Sequence, residues 1–283
     1  RKSTNDFTYS ISNNKISIKR YDGPGGIVTV PEIIENYPVT IIEQSAFENN
    51  DKVTNIILPN TILEIKDFSF RNCINLNELI LPKQIEYIGS QIICNCNKIK
   101  NITIPKNLKR ISTYWSNYCP FTGSSLEKVI FEEGTTKILE CMLCGPIRTL
   151  TDIILPESLL TIESHAFREC SSLTYINIPN NVSVIGSWSF YKTNITKIDL
   201  PDNLNIIEEH LFDFCLELIS IKIPENITTI KSFAFSNCQK LKNINLPDNI
   251  NNMYDSIFYC CYNLTELILP KQIEYIGSQI ICN

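Results

Sequence analysis

The residues that could do chemistry here are twelve cysteines and two histidines. Cys141 and Cys144 form a C-x-x-C. A structural zinc site needs four ligands, and no second cysteine pair or histidine lies near this one in sequence. Redox work would need a helix N-terminus beside the pair to lower the thiol pKa. The pair is therefore read first as ordinary thiols, second as a local disulfide, and last as a metal or redox site. His165 and His210 are read as exposed turn residues. No Ser-His-Asp order, H-E-x-x-H or phosphate loop accompanies them, and "DGPGG" at 22–26 is a turn. The expectation is a non-enzymatic chain without cofactor, metal or catalytic residues.

Most of the cysteines make better sense within a repeat. The segments starting at Leu173, Leu218 and Leu241 share one frame, L-x-x-I-x-I/L-P-x-x-I-x-x-I, followed by an aromatic and a cysteine. Its proline recurs at Pro31, Pro59, Pro82, Pro105, Pro156, Pro179, Pro201, Pro224, Pro247 and Pro270, with Glu132 in the slot between Pro105 and Pro156. The sixth residue after the slot is apolar throughout, from Ile65 to Ile276, with Met253 the one exception to isoleucine. The eleventh is Phe70, Phe167, Phe190, Phe212, Phe235 and Phe258. The fourteenth is Cys73, Cys96, Cys119, Cys170, Cys215, Cys238 and Cys261, read as a column of buried thiols acting as small apolar side chains. Cys94, Cys260 and Cys282 fall off it.

A unit of about 23 residues is too short to enclose its own apolar side chains, so units must stack and share a core. The L-x-x-I-x-I stretch alternates and predicts a strand, which proline ends because it offers no N–H to a ladder. The stretch through the aromatic and cysteine predicts a turn or short helix returning over the other face. Residues 1–30 fit the frame less well and read as an N-terminal cap, and residues 31–283 as a solenoid of ten to eleven repeats. Residues 78–95 recur unchanged at 266–283, which points to internal duplication. The chain stops within a repeat, so the solenoid is expected to be truncated at its C-terminus and able to self-associate through that uncapped end.

This frame, with Ser45-Ala46-Phe47, His165-Ala166-Phe167, Phe233-Ala234-Phe235, Ile88-Gly89 and Ile185-Gly186, resembles the BspA-like, or treponemal-type, leucine-rich repeat over about residues 27–283. The resemblance implies a leucine-rich-repeat right-handed superhelix, with a parallel sheet on its concave face and short helices or turns opposite. It also implies a surface or secreted adhesion protein whose ligand is a host, matrix or microbial surface protein. It carries over no binding residues. Glu132 and the surroundings of Cys119 and Cys144 depart from the pattern.

Composition narrows the partners. The net charge is −5, with no basic face of the kind that grips nucleic acid. No apolar run is long enough to span a membrane. The reading is a protein-binding scaffold, at the cell surface or secreted; the alternative is an intracellular, cytoplasmic scaffold. In a solenoid the position two before the proline centres the open strand face. That column reads Ile57, Ile80, Thr103, Ile130 and Ile154, then turns polar. These five, Tyr175, and Tyr118 and Phe121 from the insertion around Tyr114 and Trp115 are the partner-binding candidates. The insertion is counted as falling after Cys119. Five N-x-S/T sequons, at Asn101, Asn181, Asn194, Asn226 and Asn263, are glycan acceptors if the chain enters a secretory route.

Overall fold

The computed structural model describes residues 2–4, 6–112 and 118–282. The chain forms two compact units, residues 1–132 with 145–149, and residues 133–144 with 150–283. Both are leucine-rich-repeat solenoids built from short parallel strands.

The first unit opens on an antiparallel hairpin, Phe7–Ser12 against Lys15–Tyr21. Asn13 and Asn14 turn it at φ of 49° and 57°, left-handed values that asparagine tolerates. Lys15–Tyr21 then pairs in parallel with Tyr37–Ile42, and the ladder continues through Glu64–Ile65, Tyr87–Ile88 and Arg110–Ile111. A second ladder in this unit pairs Gly26–Thr29 with Val53–Ile57, and Asn101–Ile104 with Lys128–Phe131. The second unit repeats the scheme. One ladder runs through Lys197–Asp199, Ser220–Lys222 and Asn243–Asn245. The other includes Ile206–Ile207, Thr229–Ile230, Asn252–Met253 and Tyr275–Ile276.

Most repeats thus contribute two strand segments, one before the proline and a two-residue one after it. Two residues are too few to show an alternation, which is why the sequence reads the second only as an apolar position. Most of its isoleucines, Ile65 and Ile88 among them, are fully buried. The glycine that follows in some repeats has a steric reason. A Cβ on Gly89 would lie 2.3 Å from the backbone nitrogen of Asp67 in the preceding repeat.

The returning stretch is made of turns, and among the described residues there is no helix. Two positions per repeat adopt left-handed φ. Nine residues after the proline slot these include Phe68, Gln91, Cys141, His165, Trp188, His210 and Phe233, at 46–63°. Thirteen after it they are Asn72, Asn95, Glu169, Lys192, Phe214, Asn237 and Cys260, at 56–64°, and Asn49 (61°) holds the matching place in the longer repeat after Pro31. A left-handed residue every four positions cannot continue a right-handed helix. The backbone bonds to the next repeat instead: the N–H groups of Phe68, Phe70 and Asn72 donate to the carbonyls of Ser90, Ile92 and Cys94 at 2.8–2.9 Å. The Asn72 side-chain amide also donates to Asn49 Oδ1 (2.6 Å), and that of Asn95 to Asn72 Oδ1 (2.8 Å).

The core of the second unit is a column of stacked rings. Phe167, Phe190, Phe212, Phe235 and Phe258 lie fully buried with successive centroids 5.5–5.6 Å apart. Beside the rings run the thiols. Cys73, Cys96, Cys170, Cys215, Cys238 and Cys261 each donate to the carbonyl of Phe47, Phe70, Leu143, Phe190, Phe212 and Phe235 respectively, at 3.0–3.2 Å. Each thiol therefore packs as an apolar group and satisfies a carbonyl of the preceding repeat.

Two sequence expectations need correction. Cys119 is not in this column; it is disulfide-bonded. Phe121, expected as an exposed anchor, is fully buried. The Ser124 N–H donates to the Phe121 carbonyl, as the Cys73 N–H does to Phe70. Phe121 thus fills the repeat's phenylalanine slot and Ser124 its cysteine slot. The extra residues fall before Phe121, and counting forward from Pro105 landed on Cys119 by coincidence. Tyr114 and Trp115 lie outside the described residues.

The duplicated segment isolates what stacking contributes. Ile88 is 0% exposed, whereas Ile276, at the same place in an identical sequence, is 45% exposed. Arg110–Ile111 lies against Tyr87–Ile88; burial comes from the next repeat, not from the segment itself.

Replacing Phe190 with alanine removes a ring held between two others. The expected cost is about 3–5 kcal/mol of unfolding free energy, measured by urea denaturation. A loss under about 1 kcal/mol would mean the ring column does not hold the unit together.

Candidate protein-binding face

Along the pre-proline strands, side chains alternate between core and solvent. In the first unit Ile56, Leu79 and Leu81 point inward and are buried, which sends Ile57 (54% exposed) and Ile80 (69% exposed) outward. Two adjoining hollows of about 320 and 350 Å³ open on this face, and Ile80 lines both. Ile57 lines one and Thr103 the other. Ile130 pairs with Thr103 and is half-buried. Ile27, also exposed, borders the hollow at Ile57. Ile27 sits four residues before Pro31, in the segment that fits the repeat frame less well, so the period does not single it out.

Polar side chains border the apolar seam. On one side stand Asn55, Glu78 and Asn101, with Asn55 Nδ2 donating to Glu78 Oε1 at 3.4 Å. On the other stand Asn60 and Lys83, where the Lys83 backbone N–H donates to Asn60 Oδ1 at 3.3 Å. Glu132, in the vacant proline slot, accepts the Lys106 backbone N–H at 3.0 Å and closes the hollow at Thr103.

The second unit brings together Ile154 and Tyr175 (59% exposed), which line a hollow of about 270 Å³ with Asp152 and Asn177. Further along, the same column is polar and exposed at Asn177, Asp199, Lys222 and Asn245. Tyr118 is exposed in the first unit. The candidates therefore fall into separate groups: Ile57, Ile80 and Thr103 with Ile130; Ile154 with Tyr175; and Tyr118 alone.

The histidines are not the exposed turn residues expected. His165, Trp188, His210 and Phe233 occupy one left-handed column and stack with centroids 6.0, 3.8 and 4.7 Å apart. His210 Nδ1 lies 2.7 Å from the buried carboxylate of Asp213. Arg168 lies over the Trp188 and Tyr191 rings. Burial, and next the Arg168 charge, hold His165 below its ordinary pKa.

The C-x-x-C pair is not closed on itself: Cys141 is a free thiol and Cys144 is disulfide-bonded. Burial pushes Cys141 up to about 11, and Cys170, Cys215 and Cys261 up to about 12. Thiols of that acidity are poor nucleophiles at neutral pH.

The geometry is that of a repeat scaffold, and sequence comparison gives the same class. The model of the BspA type leucine rich repeat region matches in six copies, over residues 28–149, 117–218 and 205–283. The chain belongs to this family, and no catalytic family is indicated. No curated protein matches it. Among solved structures, a leucine rich cell surface protein from Faecalibacterium prausnitzii is similar, with TM-score 0.57 and 24% identity over 97% of this chain and 84% of that one. The pneumococcal vaccine antigen PcpA gives TM-score 0.55 and 17% identity, over 98% and 78%. A leucine-rich repeat protein from Bacteroides ovatus gives 0.51 and 21%, over 98% and 91%. At these identities the likeness concerns the fold.

Two solution measurements follow from the titrating groups. Iodoacetamide at pH near 8 is expected to spare Cys73, Cys96, Cys170, Cys215, Cys238 and Cys261 in the native protein and to modify them once urea is added. Native labelling of that column, read by peptide mass spectrometry, would contradict its burial. Because the folded state holds His165 below its ordinary pKa, the unfolded chain binds the proton first as pH falls. His165 therefore subtracts stability as pH drops through about 6.5. The urea midpoint of the native chain should fall more steeply between about pH 7 and 5.5 than that of His165→Gln; parallel slopes would remove His165 as the cause.

Proposed function

We propose that this chain is a non-enzymatic protein-binding scaffold that uses its exposed strand face, at the cell surface or in secreted form. The observation that carries the reading is the outward pair Ile57 and Ile80, set over two hollows on a rigid ladder. Isoleucine grouped on an exposed face, with polar residues around it, is the composition of a partner site. Family membership and the likeness to a cell surface protein and a vaccine antigen support display outside the cell. The disulfide-bonded state of Cys119 and Cys144 suits an oxidising compartment. A cytoplasmic scaffold is the second reading, favoured by the free thiols of the cysteine column.

Antibody labelling of intact and permeabilised producer cells separates the two, since signal on intact cells requires display outside. For the face itself, Ile80→Asp changes an exposed side chain, so stability should move by no more than about 0.5 kcal/mol. Binding to a captured protein partner should weaken by about tenfold or more. Unchanged binding in Ile80→Asp and Ile57→Asp together would take this face out of consideration.

A further inference from the structure

The dimensions of the first unit's face select among the shapes a protein partner could present. The two hollows are one repeat apart, on either side of Ile80, hence about 4.8 Å apart along the ladder. A partner must insert two apolar side chains at that spacing. Same-face neighbours on an α-helix, at i and i+3 or i+4, have Cβ atoms about 5–6 Å apart. Same-face neighbours on an extended strand are about 6.6–6.8 Å apart, since each residue rises 3.3–3.4 Å, so a strand lying along the ladder falls out of step.

The seam also has room for a helix. Glu78 and Lys83, on opposite borders, are five residues apart in one chain segment, so at most about 18 Å. A helix of about 10–12 Å diameter fits within that limit. The borders also differ in charge. Asn55, Glu78 and Asn101 make an acidic and amide edge; on the other edge Lys83 and Asn60 flank the hollow at Ile57, and Glu132 stands at the far end, beyond Thr103.

We propose that the partner docks an amphipathic α-helix along the ladder axis of the first unit, seating apolar side chains on either side of Ile80, with its basic flank toward Glu78 and its acidic flank toward Lys83. This rests on the protein-binding reading and names the element that binds.

The probes are four fluorescent synthetic peptides of equal length, each with leucines at helical spacing. One has a lysine flank and a glutamate flank, one has lysine on both, one has glutamate on both, and one is the mixed peptide interrupted by prolines. Each is titrated against the full chain, Ile80→Asp and Lys83→Glu by fluorescence anisotropy. The mixed helix should bind tightest, by about two- to fivefold over the single-charge helices, the range a few exposed ion pairs supply. Ile80→Asp should abolish the difference, and Lys83→Glu should transfer the preference to the all-lysine helix. Equal or tighter binding of the proline-interrupted peptide, still lost in Ile80→Asp, would overturn the helix while leaving the face a protein site. Helix binding whose charge preference ignores Lys83→Glu would overturn the proposed orientation. Binding of no peptide in an Ile80-dependent manner would overturn both the helix and the use of this face.

Discussion

Everything in this protein depends on one repeat burying the next. A single unit leaves its isoleucines, phenylalanine and cysteine uncovered, and only contact with a neighbour removes them from water. The identical segments at 78–95 and 266–283 make the point without any change of sequence: Ile88 is sealed under Arg110–Ile111, and Ile276 is open. The same contact sets the polar bookkeeping. Strand N–H groups, turn N–H groups, thiols and asparagine amides all donate to the adjoining repeat, so stacking satisfies groups that burial would otherwise leave costly.

A scaffold held this way frees one surface for function. Because strand side chains alternate, each pre-proline segment spends its inward residues on the core and leaves its outward ones unconstrained by folding. Ile57 and Ile80 stand at such positions, as do Asp199 and Lys222, and the fold accepts either chemistry there. An outward isoleucine is therefore a property of the face and not of the core. Histidine and thiol chemistry is absorbed differently. The aromatic stack holds His210 between Trp188 and Phe233 and seats His165 against Trp188, and burial pushes the pKa of Cys170, Cys215 and Cys261 up out of the reactive range.

Much of this was legible in the residues. The proline period located the strands, and the columns of isoleucine, phenylalanine and cysteine located the core, because a side chain repeated at a fixed offset must repeat its environment. Ile57, Ile80, Ile154 and Tyr175 could be assigned outward from alternation alone. Reading failed where the period broke. Counting from Pro105 across the insertion put Cys119 in the thiol column and Phe121 outside the core, since a count cannot tell on which side of a residue an insertion falls. The left-handed positions were also missed. At the thirteenth position Asn72, Asn95 and Asn237 carry a signal but Glu169, Lys192 and Phe214 do not, and Phe68, Trp188 and Phe233 give none for the ninth, being residues that seldom adopt that conformation.

The sequence by itself determined that the chain is a stack of repeats, which residues face inward, and that its inner cysteines are structural, because periodicity is a local property written along the chain. Tertiary structure alone decided that the return path is turns and not helix, that the histidines stack with Trp188, and that Ile80 stands between two hollows with Glu78 and Lys83 on opposite sides. Each of these depends on which residue of one repeat lies against which residue of the next. That register is fixed by hydrogen bonds between repeats, some 21 to 28 residues apart in sequence, and no single segment contains it.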